Sequence, residues 1–444
     1  MTSASVDTAA QPLDFAGTGK FKLFAVVMII VAIAEAIGIA QFQVGPGKVV
    51  LQPMLWALLI AAAWGIGQRF IPSFARVTSG LQAYAGDLLN VGLLLFVIKL
   101  GLTVGAALPQ VRQAGWALLF QEFGHTFGTL VLGLPLALLL GVKREAVGAT
   151  FSIGREGNLV IIGEKYGMAS PEGRGVLAEY ITGTVLGALF IAVLAGFITS
   201  LNIFDPRSLA MGAGVGSASM MAAAIGAINA QQPAASVPQL VAIAAAANLL
   251  TQVAGFYFTL FLSLPVCSWL YDRLEPVLGR FSKRKAPEGV ALTGIGGVKA
   301  KELSLVDTLV AWAVMTGGVM IGNLLSYKVP MLQSLGGMLI IVAIALFVDI
   351  VRRLLPKLPL VLVLSVVATV LGIPGLLPFS DVLISATAKL NFLTFTTPVL
   401  ALAGFSVAKD LPIFRQLGWR IVVVSLTATA GTFLGATLIA EFFH

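Results

Sequence analysis

Long apolar stretches recur along this chain of 444 residues, from about residue 22 to its end. A helix needs about 20 mainly apolar residues to cross the hydrocarbon core of a bilayer. Charged residues make up only 11% of the chain, whereas a soluble domain carries about 25%. The sequence therefore predicts an all-α integral membrane protein with about 11–13 transmembrane helices. The candidate spans are 22–43, 49–68, 88–108, 115–140, 144–163, 175–200, 208–229, 238–268, 305–325, 333–352, 358–377, 388–408 and 418–443.

Lysine and arginine residues are unevenly distributed over the loops that join these spans. With the N-terminus inside, roughly 20 of them fall in cytoplasmic loops and about six on the other side. The six are Lys48, Arg112, Lys165, Arg174, Lys328 and Lys389. This bias predicts a multi-pass protein of the bacterial inner membrane with a cytoplasmic N-terminus. It also accounts for the net charge of +8 without a nucleic-acid partner. In the centre of the chain, re-entrant segments could replace full crossings and change the count.

The residues that carry cofactor or metal chemistry are scarce. A single cysteine, Cys267, excludes a disulfide framework and a thiolate metal site, and the two histidines, His125 and His444, form no cluster. We find no phosphate-binding loop, paired catalytic acids or nucleophile elbow. We therefore expect neither an enzyme nor a bound metal or cofactor, and any transport would draw on a gradient.

Two stretches match without gaps at an offset of 303 residues. Residues 101–116 read GLTVGAALPQVRQAGW and residues 404–419 read GFSVAKDLPIFRQLGW, with Pro, Arg-Gln and Gly-Trp in register. On the span map an odd number of crossings separates the two copies, so they run in opposite directions. Inverted-topology repeats of this kind are typical of secondary transporters.

The repeat and the composition together divide the chain. We expect a cytoplasmic tail at 1–20, a first scaffold-like repeat at 21–141, a central Gly-rich transport core at 142–268, a basic cytoplasmic linker at 269–304 and a second scaffold-like repeat at 305–444.

The first of two irregular segments in the core is Phe151–Asn158, FSIGREGN. A broken helix is tolerated at membrane depth only where protein buries it or water reaches it, and its half-helix N-terminus suits a carboxylate. Arg155 could bind an anionic group of a substrate while Glu156 tunes it or carries a proton; the alternative is a structural ion pair near a helix end. The predicted substrate-binding residues here are Ser152, Gly154, Arg155, Glu156 and Asn158.

The second irregular segment is Gly212–Met221, GAGVGSASMM. Gly214, Gly216, Ser217 and Ser219 offer carbonyl and hydroxyl oxygens to a substrate or a sodium ion. Small residues also serve close helix packing, so both interpretations stay open.

Candidates for binding a coupling ion lie on neighbouring helices. Glu122 and His125 are three residues apart and could form a proton relay or a structural pair. Asn248 and Thr251 share a helix face that either lines the cavity or forms interhelical hydrogen bonds. Glu179 lies early in its helix and completes the set.

Three motifs carry a resemblance to a known family. GREGNLVIIGEKYG from Gly154 to Gly167, EYITGT from Glu179 to Thr184 and GAGVGSASMMAAA from Gly212 to Ala224 resemble those of a bacterial membrane family known chiefly as a domain of unknown function. In pattern alone the chain is also similar to glutamate–sodium symporters, 2-hydroxycarboxylate transporters and lysine exporters. That likeness implies inverted repeats, a scaffold, a mobile core and a homodimer.

These observations favour a secondary active transporter of a small organic anion or amino acid. It would work by alternating access, elevator-like, with a sodium or proton gradient and the lipid bilayer as its partners. The alternative is an ion channel or another permeation protein without coupled transport, which predicts a continuous polar stripe.

Overall fold

The computed structural model describes residues 17–44, 47–167, 170–214, 216–281, 303–354, 360–416 and 418–443. Most of the predicted tail at 1–20 and of the predicted linker at 269–304 lies outside these residues. Within helices, the side chains of Arg112, Arg155, Glu156, Gln252 and Arg415 also lie outside the described set.

The first group of helices precedes the irregular centre. A two-stranded antiparallel sheet joins the first two helices, and Pro53 begins the second, where a missing N–H costs nothing. Gly115, at φ 52°, interrupts the fourth helix. The elements are α1 (Gly17–Ile37), β1 (Ala40–Val44), β2 (Gly47–Leu51), α2 (Pro53–Ile66), α3 (Ser79–Ala106) and α4 (Leu108–Leu139).

The centre alternates short and long helical units. Each short pair of helices is separated by a few non-helical residues, and each long unit is two helices joined without a break through a π-helical turn. The helices are α5 (Glu145–Thr150), α6 (Arg155–Lys165), α7 (Pro171–Thr182), α8 (Ala188–Ser200), α9 (Pro206–Ala213), α10 (Ala218–Asn229), α11 (Val237–Phe258) and α12 (Leu264–Leu278). The π-helical turns are Gly183–Gly187 and Thr259–Ser263.

The last group of helices follows the linker. A sharp bend of 66° lies between its fourth and fifth helices, at residues 389–391. The elements are α13 (Leu305–Tyr327), α14 (Met331–Leu354), α15 (Leu360–Leu371), α16 (Ser380–Ala388), α17 (Phe392–Gln416) and α18 (Trp419–Glu441).

The all-α membrane class is confirmed. Among the described residues, six helices are long and apolar enough to cross a membrane, or seven if the bent pair around residue 390 counts as one span. This count is lower than the predicted 11–13 because several predicted spans are divided in the structure. Others, such as α2, are apolar but short.

The two matching sequence stretches lead into helices that pack against each other. α4 and α18 run antiparallel and cross where Gly128 meets Gly431, positions that differ by the repeat offset of 303. A Cβ on either glycine would collide with the carbonyl oxygen of the other. Thr129 and Thr432, which are also 303 apart, share a hydrogen bond. α3 packs against α15 and α17, and α17 against α2, so the flanking groups are interleaved.

Polar contacts identify the two ends of the bundle. At the ion-pair end, Lys20 of α1 bonds Asp307 of α13 at 2.7 Å, and Lys22 bonds the Ser73 carbonyl. At the opposite end, which we call the strand end because it holds β1 and β2, the Asp205 amide donates to Glu441 at 3.0 Å. The contacts of each central helix therefore show at which end of the bundle that helix begins or ends.

Candidate functional site

The helices α5 and α6 form a re-entrant hairpin, hairpin 1, which begins and ends at the ion-pair end. Arg144, before α5, bonds Glu172 at 2.7 Å, and Glu145 accepts from Arg174 at 2.8 Å. Residues 143–145 and 172–174 therefore lie together, although a full crossing at 144–163 would separate them by about 30 Å. The expected placement of Arg174 and Lys165 on the far side is corrected by these contacts, and the re-entrant alternative holds.

The helices α9 and α10 form a second re-entrant hairpin, hairpin 2, which enters from the strand end. The Asp205 amide at its start bonds Glu441. After its end, the Gln231 side chain donates at 2.8 Å to the carbonyl of Gly196, near the last turn of α8. The predicted crossing at 208–229 is therefore also a segment that enters and returns.

The tip of hairpin 1 is the non-helical stretch 152–154 between α5 and α6. Asn158, one turn into α6, donates to the Ser152 carbonyl at 3.0 Å, and the Gly154 amide donates to Ser152 Oγ at 3.1 Å. From the π-helical turn of α11–α12, Ser263 donates to the Phe151 carbonyl and Thr259 to Ser152 Oγ at 3.4 Å. Unpaired backbone groups at this depth would be costly, and these side chains satisfy them.

The described residues at the tip of hairpin 2 are Gly214, Gly216 and Ser217. Asn248 of α11 donates from Nδ2 to the Gly214 carbonyl at 2.8 Å and to the Gly216 carbonyl at 3.4 Å. Ser217 caps α10 by accepting from the Met220 amide, and its hydroxyl lies 3.1 Å from that of Ser219. Gly216 adopts φ +94°, a conformation that L side chains rarely reach.

The two tips are in contact. A Cβ built on Gly216 would lie 3.3 Å from Ile153 Cδ1. Both second arms, α6 and α10, begin at the tips, so two half-helix N-termini converge there with their backbone N–H groups. Such ends favour an anionic ligand group, and the adjacent C-terminal ends of α5 and α9 favour a cation. The structure thus brings together Ser152, Gly154, Asn158, Gly214, Gly216, Ser217, Ser219 and Asn248 of the predicted site.

Hairpin 1 packs on the π-helical turn between α11 and α12, and hairpin 2 packs on the π-helical turn between α7 and α8. Hairpin 1 bonds Thr259 and Ser263, whereas Met220 of hairpin 2 packs on Gly187, where a Cβ would lie 3.1 Å from its sulfur. π-Helical turns occur frequently at functional sites. Thr259 and Ser263 were missed in the sequence, although they continue the spacing of Asn248 and Thr251 along one helix face. Following that polar face for about three more turns would have found them.

A second polar cluster lies between α4 and α11. Thr251 donates to Glu122 Oε1, and Gln121 donates to the same oxygen at 2.8 Å. Glu122 is fully buried, and its Oε2 has no partner among the described side chains; the same holds for His125 Nδ1 and Gln121 Oε1. Glu122 and His125 therefore share a helix face without bonding each other. Gln121 is a residue that the sequence did not suggest.

Three predicted residues contribute less. The side chains of Arg155 and Glu156 lie outside the described set, although their backbone forms the first turn of α6 at the tip of hairpin 1. Glu179 is buried on α7, one turn before the π-helical turn, where Gly183 leaves room beside its carboxylate. No cluster of three or more metal-ligating side chains occurs among the described residues.

The fold defines an all-α, multi-pass membrane protein with two re-entrant hairpins at its centre. The family model described as protein of unknown function DUF3100 matches residues 32–273, more than half of the chain. The chain belongs to this family. Neither the curated proteins nor the solved structures contain a match. The matched residues include both hairpins, the first long helical unit and most of the second.

Proposed function

We propose that this protein is a secondary transporter of a small organic anion or amino acid, with its substrate held between the two hairpin tips. The observation that carries the proposal is the contact of two broken helices that enter from opposite ends of the bundle. Such an arrangement gives the site an equivalent approach from either side, which alternating access requires. The converging N-termini of α6 and α10 favour a carboxylate.

Two levels of inverted symmetry support alternating access. In the flanks, the repeat equivalents Gly128 and Gly431 touch each other, as residues next to a pseudo-two-fold axis must. In the centre, hairpin 1 with α7–α8 and hairpin 2 with α11–α12 have the same plan and enter from opposite ends. We assign residues 145–278 to a mobile core and the flanking helices to a scaffold. The excess of basic residues assigns the ion-pair end to the cytoplasm of a bacterial inner membrane.

The cluster around Glu122 supports coupling to a proton or sodium gradient. It joins scaffold to core through the hydrogen bond from Thr251, and a buried carboxylate inside a membrane is costly unless it is neutralised. An ion that binds at Glu122 would therefore alter the contact between the two units. Glu122→Gln is expected to abolish gradient-driven accumulation while preserving the exchange of substrate across the membrane.

Flux in proteoliposomes tests the proposal. A panel of labelled organic acids and amino acids is supplied with imposed sodium or proton gradients, and we expect saturable, gradient-dependent uptake of at least one compound. Arg155→Gln should abolish this uptake. Lys165→Gln removes an equal charge from the other end of α6 and should not affect it. Fast conductance without saturation would instead identify a channel, and a panel without any flux would contradict the assignment to these substrates.

A further inference from the structure

A buried acid in the flanking helices is used by neither the hairpins nor the Glu122 cluster. Glu35 lies near the end of α1 and is only 5% exposed. Its Oε1 accepts a hydrogen bond from Thr397 Oγ1 of α17 at 2.6 Å, and its Oε2 accepts one from Ser326 Oγ of α13. Among the described side chains, no lysine, arginine or histidine forms an ion pair with it. Within the described part of the chain, the carboxylate therefore has hydroxyl partners but no counter-charge.

An uncompensated carboxylate in an apolar bundle costs several kcal/mol. A ligand that neutralises the charge restores that energy. Glu35, Ser326 and Thr397 bring four oxygen atoms from three helices to one place, and carboxylate and hydroxyl oxygens are the ligands that hard cations prefer. Gly322 of α13 lets the Glu35 carboxylate approach that helix closely, because a Cβ there would lie 2.9 Å from Glu35 Oε1.

The neighbouring helix break has its own partners. Between α16 and α17, the Thr387 carbonyl accepts from Lys99 at 2.8 Å and the Lys389 carbonyl from Asn323 at 3.0 Å. Lys99 is thus engaged by backbone rather than by an acid. Glu35 is not needed to satisfy the break, and it faces the first turns of α17 instead. Positions 86–88 of the first repeat, which match this break, lie within the unbroken α3, so the feature belongs to one copy only.

We propose that Glu35, Ser326 and Thr397 form a binding site for sodium in the flanking helices. The ion neutralises Glu35 and ties α1, α13 and α17 together. Because all three ligands lie outside residues 145–278, the bound ion stabilises these helices and is not carried with the substrate. The site is independent of the transport assignment, and its test needs no flux.

Thermal unfolding of the purified full-length protein tests the site. Melting is followed in detergent while sodium chloride replaces choline chloride at constant ionic strength and pH. The melting temperature of the wild type should be constant well below the dissociation constant and should rise by about 1–2 °C for each tenfold increase in sodium above it. Glu35→Gln combined with Glu122→Gln should fold and melt at a temperature that does not depend on sodium, because each amide keeps the shape and removes the charge.

Two further variants test whether the sodium response comes from the Glu35 site. Thr397→Val removes one hydroxyl and leaves the charge, so a sodium response at higher concentration is expected. Glu122→Gln alone removes the buried acid proposed to bind the coupling ion, and we expect it to keep the sodium response that Glu35 provides. The proposal is overturned if the melting temperature of the wild type does not change with sodium, even if it changes with pH. It is also overturned by a sodium response that survives when Glu35→Gln is combined with Glu122→Gln, or by one that is absent from Glu122→Gln alone.

Discussion

Hairpins 1 and 2 have the same plan but are held in different ways. At the base of hairpin 1, two ion pairs link α5 and the residue before it to α7, and Arg144 also bonds Asp272 of α12 at 2.8 Å. At its tip, Ser263 and Thr259 bind the chain from a neighbouring helix. Hairpin 1 is thus fixed to both long units of the core.

Hairpin 2 is fixed by fewer charged contacts, and its tip contains more glycine than the tip of hairpin 1. Its tip has Gly214 and Gly216, the latter at φ +94°, and Asn248 donates to both of their carbonyls. The Asp205 amide and the Gln231 side chain hold its base. Glycine-rich, weakly tethered segments are where local opening costs least. We infer that hairpin 2 opens first to admit substrate, while hairpin 1 is the fixed wall of the site.

Among the variants that test the difference between the two hairpins, Gly216→Val should reduce substrate flux the most. A β-branched residue is strained at positive φ, and its Cβ would press on Ile153 of the opposite tip. We expect substrate flux in proteoliposomes to fall by at least tenfold. Gly38→Val is the matched control, because Gly38 also has positive φ, at +74°, but a Cβ added there would have no atom within 4 Å. Equal loss of flux in both variants would mean that strain alone, and not the tip contact, is responsible.

Asn248→Ala should have the next largest effect. It leaves the Gly214 carbonyl without its donor, at a cost of about 1–3 kcal/mol for a buried group. If hairpin 2 is the moving element, the loss should appear as a rise of about tenfold in the KM for transport. Asn248→Asp keeps the shape but cannot donate, so it should behave like Asn248→Ala. Normal transport by the aspartate variant would show that the hydrogen bonds to the tip do not matter.

Ser263→Ala should have the smallest effect on transport. It removes the donor to the Phe151 carbonyl, but Thr259 and Asn158 still hold the tip of hairpin 1. We expect a loss of stability of about 1 kcal/mol and a change in KM of less than threefold. Melting temperature and transport kinetics of one preparation give both values. A larger KM change than in Asn248→Ala would reverse the roles assigned to the two hairpins.

The sequence predicted the class of the fold and the position of both irregular segments. Glycine density and polar residues in otherwise apolar stretches indicate where a membrane helix breaks, and these signals coincide with the breaks between α5 and α6 and between α9 and α10. The charged residues Arg155 and Glu156 drew attention to the start of α6, which forms part of the site.

Hydropathy could not distinguish a crossing from a hairpin. A stretch of about 20 apolar residues that turns back at its middle has the same composition as one that continues. The evidence for a hairpin lies in contacts between residues distant in the sequence, such as Arg174 with Glu145, because only folding brings them together. The same holds for Glu35, whose partners Ser326 and Thr397 are 291 and 362 residues away in the chain.

The sidedness of single cysteines tests the two opposed hairpins most directly. Cys267 is buried and is the only cysteine, so Cys267→Ala provides a background for labelling with a membrane-impermeant maleimide. Lys165→Cys, at the end of hairpin 1, should react from the same side as Arg273→Cys on α12. Ala234→Cys, after hairpin 2, should react from the other side, together with Arg207→Cys. Labelling of Lys165→Cys from the side opposite to Arg273→Cys would contradict the hairpin and show that the span 144–163 crosses the membrane.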